Sequence, residues 1–594
     1  MKREIRASTV TGPAGVGAVI DVGQESFVVP GLAQWRQEQL RVVPLPRLAD
    51  RLRKVLKAPR SENPSLMIRR FPLEMFCEKC RRIVTWRTQM EREDQEPACP
   101  HSGCGGSLVP MRFVATCEHG HLRDVDWWKW AHSGPNRKSG CKVYDRLSFK
   151  VNPAASTGGL GSLNVECACG SSRSLEEITS KHAVKAIFQA CSGTHPWIRG
   201  SAENCSSEVV VLQRGATNLH YPSTISALDI PVEHSQKPAA QFAEQVRGLQ
   251  KYQRLVGLIQ NASGDTKDFI QDIAELLATQ AGCDVAVVLE IATADAQGRE
   301  LAGSGGAPKL TGPVNQAVFL EEEWRTFSAA LESGEVSSDN FIAVREELST
   351  SAPPWMKNLL QGVLLIRRLR EVRAYLGFQR VKPGPAERTV KPDAAKPENW
   401  LPASEVYGEG FVLAFNFGAL ERWTEQLPEG ERAGLRALDQ KRRDENFWFL
   451  PEVDPAFIAA HTLSHLLLRQ VTFDCGYSSS SLRERIYFDR KNRHAGIMIY
   501  TADGDSEGSL GGLVRQGRSD RLVASLAEAV EQSRWCSSDP VCSESAGQGL
   551  GGFNHAACHA CSLVSETSCT HANTLLDRRM LTHPHWGLIG SVGG

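Results

Sequence analysis

Residues 556–571 read AACHACSLVSETSCTH, three cysteines and two histidines in a stretch with no strand or helix periodicity of its own. With Cys536 and Cys542 upstream, Cys558, Cys561 and Cys569 supply five sulfurs beside His555, His559 and His571. A CxxC pair such as Cys558–Cys561 serves either as a redox couple or as half of a zinc site. The redox use belongs at the start of a helix that follows a strand in a βαβ unit, and no such pattern precedes this pair. Four of the five sulfurs closing one zinc tetrahedron account for the stretch better, with the fifth spare or alternating.

The N-terminal half carries more of the same chemistry. CEKC (77–80) and CPHSGC (99–104) place Cys77, Cys80, Cys99 and Cys104 as two short pairs about twenty residues apart. Each pair wraps a tight turn with both thiolates on one side, and two pairs complete a tetrahedron that leaves no position open for water. The spacing therefore predicts a structural zinc. A second set, Cys167 and Cys169 with Cys191 and Cys205, is a CxC pair with two distant partners in glycine turns, and is expected to close another. Between them, Cys117, His119, His121 and Cys141 are spaced loosely enough to be a Cys/His site or ordinary core residues. Two to four structural Zn2+ ions are expected in all.

Catalytic chemistry is harder to find. HTLSH puts His461 and His465 one helical turn apart, as in a zinc protease, but Thr462 stands where the general-base glutamate belongs. The pair reads as polar residues at the edge of a buried helix. DGDSEG (503–508) alternates acids like a calcium loop, yet position twelve is Val514 rather than a bidentate acid. GYSSSS lacks the GxSxG elbow. SLGGLVRQ opens a helix, but Asp503, Asp505 and Glu507 would repel a phosphate there. The chain contains no Gly-Lys dipeptide, which excludes a P-loop motor.

Two stretches suit nucleic acid. VDWWKWAH combines three tryptophans with nearby Arg123 and Lys129. IRRLREVRAYLGFQRVK brings Arg367, Arg368, Arg370, Arg373, Arg380 and Lys382 together with one acid, Glu371. Such a basic face could hold phosphates. The alternative in each case is a core corner or a solvated helix face, and for the tryptophans the core is favoured.

The elements that must position these groups imply an α+β multidomain chain: zinc-stabilised loop-rich modules, a helical middle region and a mixed α/β C-terminal domain. The expected divisions are an N-terminal segment (1–70), a cysteine-rich zinc-binding region (71–235), a mainly helical region (236–382), a Pro- and charge-rich linker (383–400), and a C-terminal domain (401–594) with its zinc cluster at 536–569. GPAGVGAVIDV near the start lacks GxGxxG spacing and reads as structural turns. Apolar residues three and four apart predict helices over 238–290, 317–333 and 356–377. EGFVLAFNF, RIYFDR and HAGIMIYTA read as strands, and PAFIAAHTLSHLLLRQV as an amphipathic helix. A length of 594 residues calls for several domains. Balanced charge, 68 basic and 68 acidic residues, argues against a chain held to nucleic acid by global charge alone. Seventeen clustered cysteines, no apolar run long enough to span a bilayer and no secretory h-region together predict a cytoplasmic protein. Cys283, alone in the middle region, reads as a buried apolar residue.

LREVRAYLGF, LPASEVYGEGFVLAF, HTLSHLLLRQ, GYSSSSLRERIY, AGIMIYTADGDSEGSLGGL and AACHACSLVSETSC…NTLLDRRM occur in this order, joined upstream by CSGTHPW and RGATNLHYPSTISALDIP. In these motifs the chain resembles the DrmB subunits of the DISARM anti-phage defence system. Its last third resembles the cysteine-rich domain found at the end of some repair helicases. The resemblance implies a non-enzymatic, non-motor subunit that forms a heterodimer with a helicase-like DrmA-type partner. That pair would engage invading DNA while a functionally linked methyltransferase marks host DNA. It maps family cysteines onto Cys167, Cys169, Cys191, Cys205, Cys536, Cys542, Cys558, Cys561 and Cys569, and no catalytic residue. Two other readings stand beside it: a metal-dependent hydrolase or nuclease using His461, His465 and the acids at 503–507, and an interaction scaffold without DNA contact.

Overall fold

A computed structural model describes the chain except residues 1–4, 6, 61–65, 67, 93–94, 153–158, 199, 201, 232–237, 261–266, 298–314, 448, 502–511 and 594. The glycine-rich patch at 302–313 and the DGDSEG acids lie outside the described residues. The rest is mixed helix and strand, an α+β chain of two discontinuous compact units. One unit comprises residues 1–225, 241–301 and 373–404; the other 226–240, 302–372 and 405–594. Residues 383–400, read from composition as a linker, belong to the first unit.

The first unit is assembled from small antiparallel sheets. Ile83–Thr85, Glu74–Cys77 and Leu108–Pro110 form one; Leu122–Asp124, Phe113–Thr116 and Val210–Gln213 a second; Leu147–Val151, Leu163–Cys167 and Ser172–Ser174 a third. Strands this short bury little apolar surface, so each sheet needs support beyond its own core. Helices at Pro238–Arg247, Tyr252–Gln260, Lys267–Ala281 and Val285–Ala296 lie where apolar spacing predicts them, whereas 335–379, also placed in the mainly helical region, is largely strand. Gly15 and Gly17 lie where a Cβ would come within 2.5 Å of the Tyr375 ring and 2.6 Å of the Phe378 ring. The N-terminal glycines are thus packing turns. The tryptophan stretch is likewise core: Trp127 and Trp130 are fully buried in the short helix Trp127–Ala131, which Asp126 caps.

The second unit is built on a large sheet in which Glu335–Ser338, Phe341–Glu346, Leu360–Gln379, Trp400–Phe415, His494–Thr501 and Leu482–Asp489 are successive neighbours. The last two form a hairpin in which Asp489 pairs with His494. Against the sheet packs Pro455–Cys475, whose Asp454 side chain accepts from the amides of Ala456 and Phe457 and whose C-terminus is closed by Gly476 at φ +69°. This helix is buried on nearly every face rather than amphipathic, as a helix inside a core must be. Gln316–Ser333 covers other strands of the sheet.

The expected helix over 356–377 is corrected. Only Pro354–Leu359 is helical, and LQGVLLIRRLREVRAYLGFQ runs as one strand, Leu360–Gln379. Much of it is buried on both sides, so the two-residue alternation that marks a half-exposed strand is lost and a spurious helical spacing remains. Arg370 and Glu371, adjacent and both buried, point to opposite faces of the pleat, and each finds opposite charge. Arg370 pairs with Asp229 at 2.8 Å and Glu405 at 2.6 Å. Glu371 accepts from Arg485 at 3.1 Å and from the Tyr500 hydroxyl at 3.2 Å. Arg485 also donates to Glu323 at 3.0 Å, where the Tyr487 hydroxyl donates as well.

One guanidinium therefore neutralises two carboxylates that are almost wholly buried. Removing it takes away the charge partner the two share, at a cost of about 3–5 kcal/mol. Arg485→Met is expected to lower stability by about that much in urea denaturation, while Arg367→Met on the exposed part of the same sheet changes it by less than about 0.5 kcal/mol. Equal effects from the two substitutions would contradict the network's role.

Candidate metal centres

The cysteine pairs fold into compact donor sets. Strand Glu74–Cys77 delivers Cys77 to a turn in which the Cys80 amide points at its sulfur, 3.5 Å away, and Arg81 takes φ +60°. Cys99 and Cys104 arrive on a loop, giving sulfur separations of 3.5 Å for Cys77–Cys104 and 3.7 Å for Cys80–Cys99. Four thiolates about 2.3 Å from a tetrahedral zinc stand about 3.8 Å apart, whereas a disulfide would bring two sulfurs to about 2.05 Å. The observed spacing fits the ion. Gly106 makes room for it: a Cβ there would come within 2.6 Å of the Cys77 sulfur.

Electrostatics points the same way. Burial, reinforced by the neighbouring sulfurs, pushes the Cys99 thiol up to about 12. The Gly106 amide and then the Cys77 thiol hold Cys104 down to about 7. Packed thiols thus give up one proton readily and the rest reluctantly, and a divalent cation is what makes four thiolates compatible at this distance.

The C-terminal set is equally tight. Cys536 and Cys558 lie 3.6 Å apart, Cys542 and Cys561 3.8 Å, and the Cys558 amide approaches the Cys561 sulfur at 3.2 Å. Asp539 receives the Cys536 amide at 2.9 Å and is itself held by Arg578, a support of the kind that orients metal ligands. Cys569 is not the alternate member of this tetrahedron. It is buried elsewhere in the unit, 3.3 Å from Nε2 of His461.

The second predicted set is divided. Cys167 and Cys169 gather with Cys141 and His132, while Cys191 and Cys205 gather with Cys117 and His121; in each set the donor atoms lie within 4.8 Å of one another. The physical reason is the fold. Cys167 ends strand Leu163–Cys167, whose register against Leu147–Val151 brings it to the loop holding Cys141, 3.8 Å sulfur to sulfur. Cys117 follows strand Phe113–Thr116, and its sulfur stands 3.3 Å from Nδ1 of His121. His132 presents Nε2 to Cys169 at 3.3 Å while its Nδ1 meets the Trp128 carbonyl at 2.7 Å. Sequence reading missed His132, and a lone histidine after a tryptophan run carries no spacing to reveal it. His119 lies at the edge of its set, with Nδ1 2.5 Å from the Ser207 hydroxyl and 3.9 Å from the Cys205 sulfur. Cys283 is half-buried, and burial pushes its thiol up to about 11.

The basic run does not form one face. Arg370 and Arg380 are buried, Arg373 is half-buried, and only Arg367, Arg368 and Lys382 are exposed. Arg380 donates to the carbonyls of Gly120 at 2.9 Å, Gly17 at 2.7 Å and Leu219, and lies over the Phe378 ring. Lys382 pairs with Glu118 at 3.1 Å. Among the described residues, no single helix is long and apolar enough to cross a membrane.

Fold and donor sets together define a multidomain protein held by several structural zinc ions, with a zinc-clipped C-terminal domain. Residues 463–562 match the MrfA Zn-binding domain, which contains the four-cysteine C-terminal set, and residues 6–221 match a domain of unknown function (DUF8724). Along nearly its whole length the chain is similar to the DISARM protein DrmB of Bacillus paralicheniformis: 29% identical, covering 95% of this chain and 97% of that one. The resemblance read from motifs along most of the sequence is matched by this similarity over 95% of the chain.

Cys561→Ser is expected to cost one zinc per chain, read by elemental analysis, together with solubility, because the free energy of binding the ion contributes to folding the loops of 536–561. A soluble variant with full zinc content would contradict a structural role for this set.

Proposed function

We propose that this chain is a non-enzymatic, non-motor subunit of an anti-phage defence complex, partnering a helicase-like DrmA-type subunit and helping it engage invading DNA. The observation that carries the reading is the end-to-end similarity to DISARM protein DrmB, with matched lengths on both sides. The MrfA Zn-binding match within the C-terminal unit supports it, as does the absence of a P-loop lysine motif from the sequence. On this reading the companion methyltransferase distinguishes host from invader, and the zinc sets Cys77/Cys80/Cys99/Cys104 and Cys536/Cys542/Cys558/Cys561 are structural.

The hydrolase alternative has less support because His461 and His465 are fully buried. For DNA contact within the basic run, Arg367 and Arg368 are the exposed neighbours that can approach phosphate.

Co-expression with the helicase-like subunit of the same host, followed by affinity purification of this chain, is expected to yield a stoichiometric pair. The pair should bind DNA with an affinity that falls steeply with salt. Arg367→Glu with Arg368→Glu should weaken that binding several-fold and flatten its salt dependence by about one unit for each phosphate no longer neutralised. Recovery of the chain alone would overturn the subunit reading. A pair whose DNA affinity ignores the charge reversal would assign this surface a scaffolding role instead.

A further inference from the structure

We propose that His461, His465, Glu484 and Cys569 form a second, closed metal site of the zinc class inside the C-terminal unit, separate from the four-cysteine clip. Three elements meet there. His461 and His465 project from one face of Pro455–Cys475, a single turn apart. Glu484 comes from the adjoining strand Leu482–Asp489, and Cys569 from the loop beyond the clip. Nε2 of His461 is 3.0 Å and Nε2 of His465 is 3.2 Å from the same oxygen, Oε1 of Glu484. Nε2 of His461 is also 3.3 Å from the Cys569 sulfur, and all four donors lie within 4.8 Å of one another. A tetrahedral ion with bonds of about 2.0–2.1 Å to nitrogen and oxygen and about 2.3 Å to sulfur needs edges of about 3.3–3.6 Å.

Hydrogen bonding alone accounts for this cluster poorly. Nδ1 of His465 lies 2.9 Å from the Ser562 carbonyl, which can only accept, so Nδ1 carries the proton and the neutral ring offers a lone pair at Nε2. That lone pair faces a carboxylate oxygen. Without a cation between them, that contact needs a proton on the ring or on the carboxyl, and on the ring it leaves an ion pair where both side chains are wholly shielded from water. Even then Oε2 of Glu484 is left buried with no hydrogen-bond partner. A divalent ion removes the conflict. Two neutral imidazoles, one carboxylate and one thiolate sum to two negative charges, and the ion brings the site to neutrality.

The donor set selects the ion. Thiolate and imidazole disfavour magnesium and calcium, which take oxygen ligands, and four protein ligands in a tetrahedron suit zinc. The three histidine and glutamate side chains are 0% exposed and Cys569 only 7%, so no coordination position faces water or substrate. The site is therefore structural: it pins the helix, the hairpin and the C-terminal loop to one point inside an otherwise apolar core. The matched MrfA Zn-binding segment, 463–562, includes neither His461 nor Cys569, so the set extends beyond it on both sides.

Crystals of the full-length chain grown with zinc, with data collected on both sides of the zinc absorption edge, test this directly. An anomalous peak about 2.0–2.3 Å from His461, His465, Glu484 and Cys569 is expected beside those of the cysteine sets. No peak there, with the cysteine sets showing theirs, overturns the proposal. In native mass spectrometry, Glu484→Gln and Cys569→Ser should each lose one zinc, and Cys569→Ser combined with Cys561→Ser should lose two. A folded Cys569→Ser chain retaining the wild-type zinc count also overturns it. The map requires no variant, so it decides even where a substitution costs the fold.

Discussion

Thiolates held 3.5–3.8 Å apart repel one another, and the protein arranges them in that way at both ends of its sequence. Arg578 supplies one positive charge beside Cys542 and Cys561, too little to hold four such groups ionised. A divalent ion suffices, and the free energy of binding it becomes free energy of folding. The first unit depends on this most. Its three-stranded sheets have strands of only two to five residues, which bury little apolar surface. Donor sets lie at the strand ends: Cys77 closes Glu74–Cys77, Cys167 closes Leu163–Cys167, and Cys117 follows Phe113–Thr116 directly. Each ion fixes the place where a strand stops and a loop must turn, which is where a small sheet would otherwise fray.

The second unit solves the same problem with bulk. Its sheet is wide, its central helix is enclosed, and some of its charges are turned inward in matched sets. Glu323, Glu371 and Arg485 form one such set on one side of the pleat, and Arg370, Asp229 and Glu405 another. Buried ion pairs of this kind contribute less to net stability than to specificity. Slipping Leu360–Gln379 by one residue would carry Arg370 and Glu371 to the wrong faces and strand both charges. An apolar strand of equal length would have no such lock.

This locking also explains what could be read from the sequence and what could not. Short-range signals were legible: the helices of 238–296, the helix Gln316–Ser333, the hairpin around residues 490–493, and the pairs Cys77–Cys80 and Cys558–Cys561 all show themselves through local spacing. Signals that rest on tertiary pairing were not. Arginines in IRRLREVRAYLGFQ look like a basic helical face because their inward partners, Asp229 and Glu405, are far away in sequence. The partition of Cys167, Cys169, Cys191 and Cys205 between two sets follows from strand register, which no cysteine count contains. His121, His132, His461 and His465 gain meaning as donors only when a second or third chain segment arrives beside them.

Burial bears on how His461 and His465 can be used. A histidine pair one turn apart is the usual starting point for a hydrolytic zinc, and such a zinc must keep one position open to water. Here the pair is enclosed, with Glu484 against both imidazoles and the Cys569 sulfur against one of them, at the point where helix, hairpin and C-terminal loop cross. The same residues that would do chemistry on a surface instead fix geometry in a core. A unit braced at that crossing and again at its four-cysteine clip gains rigidity.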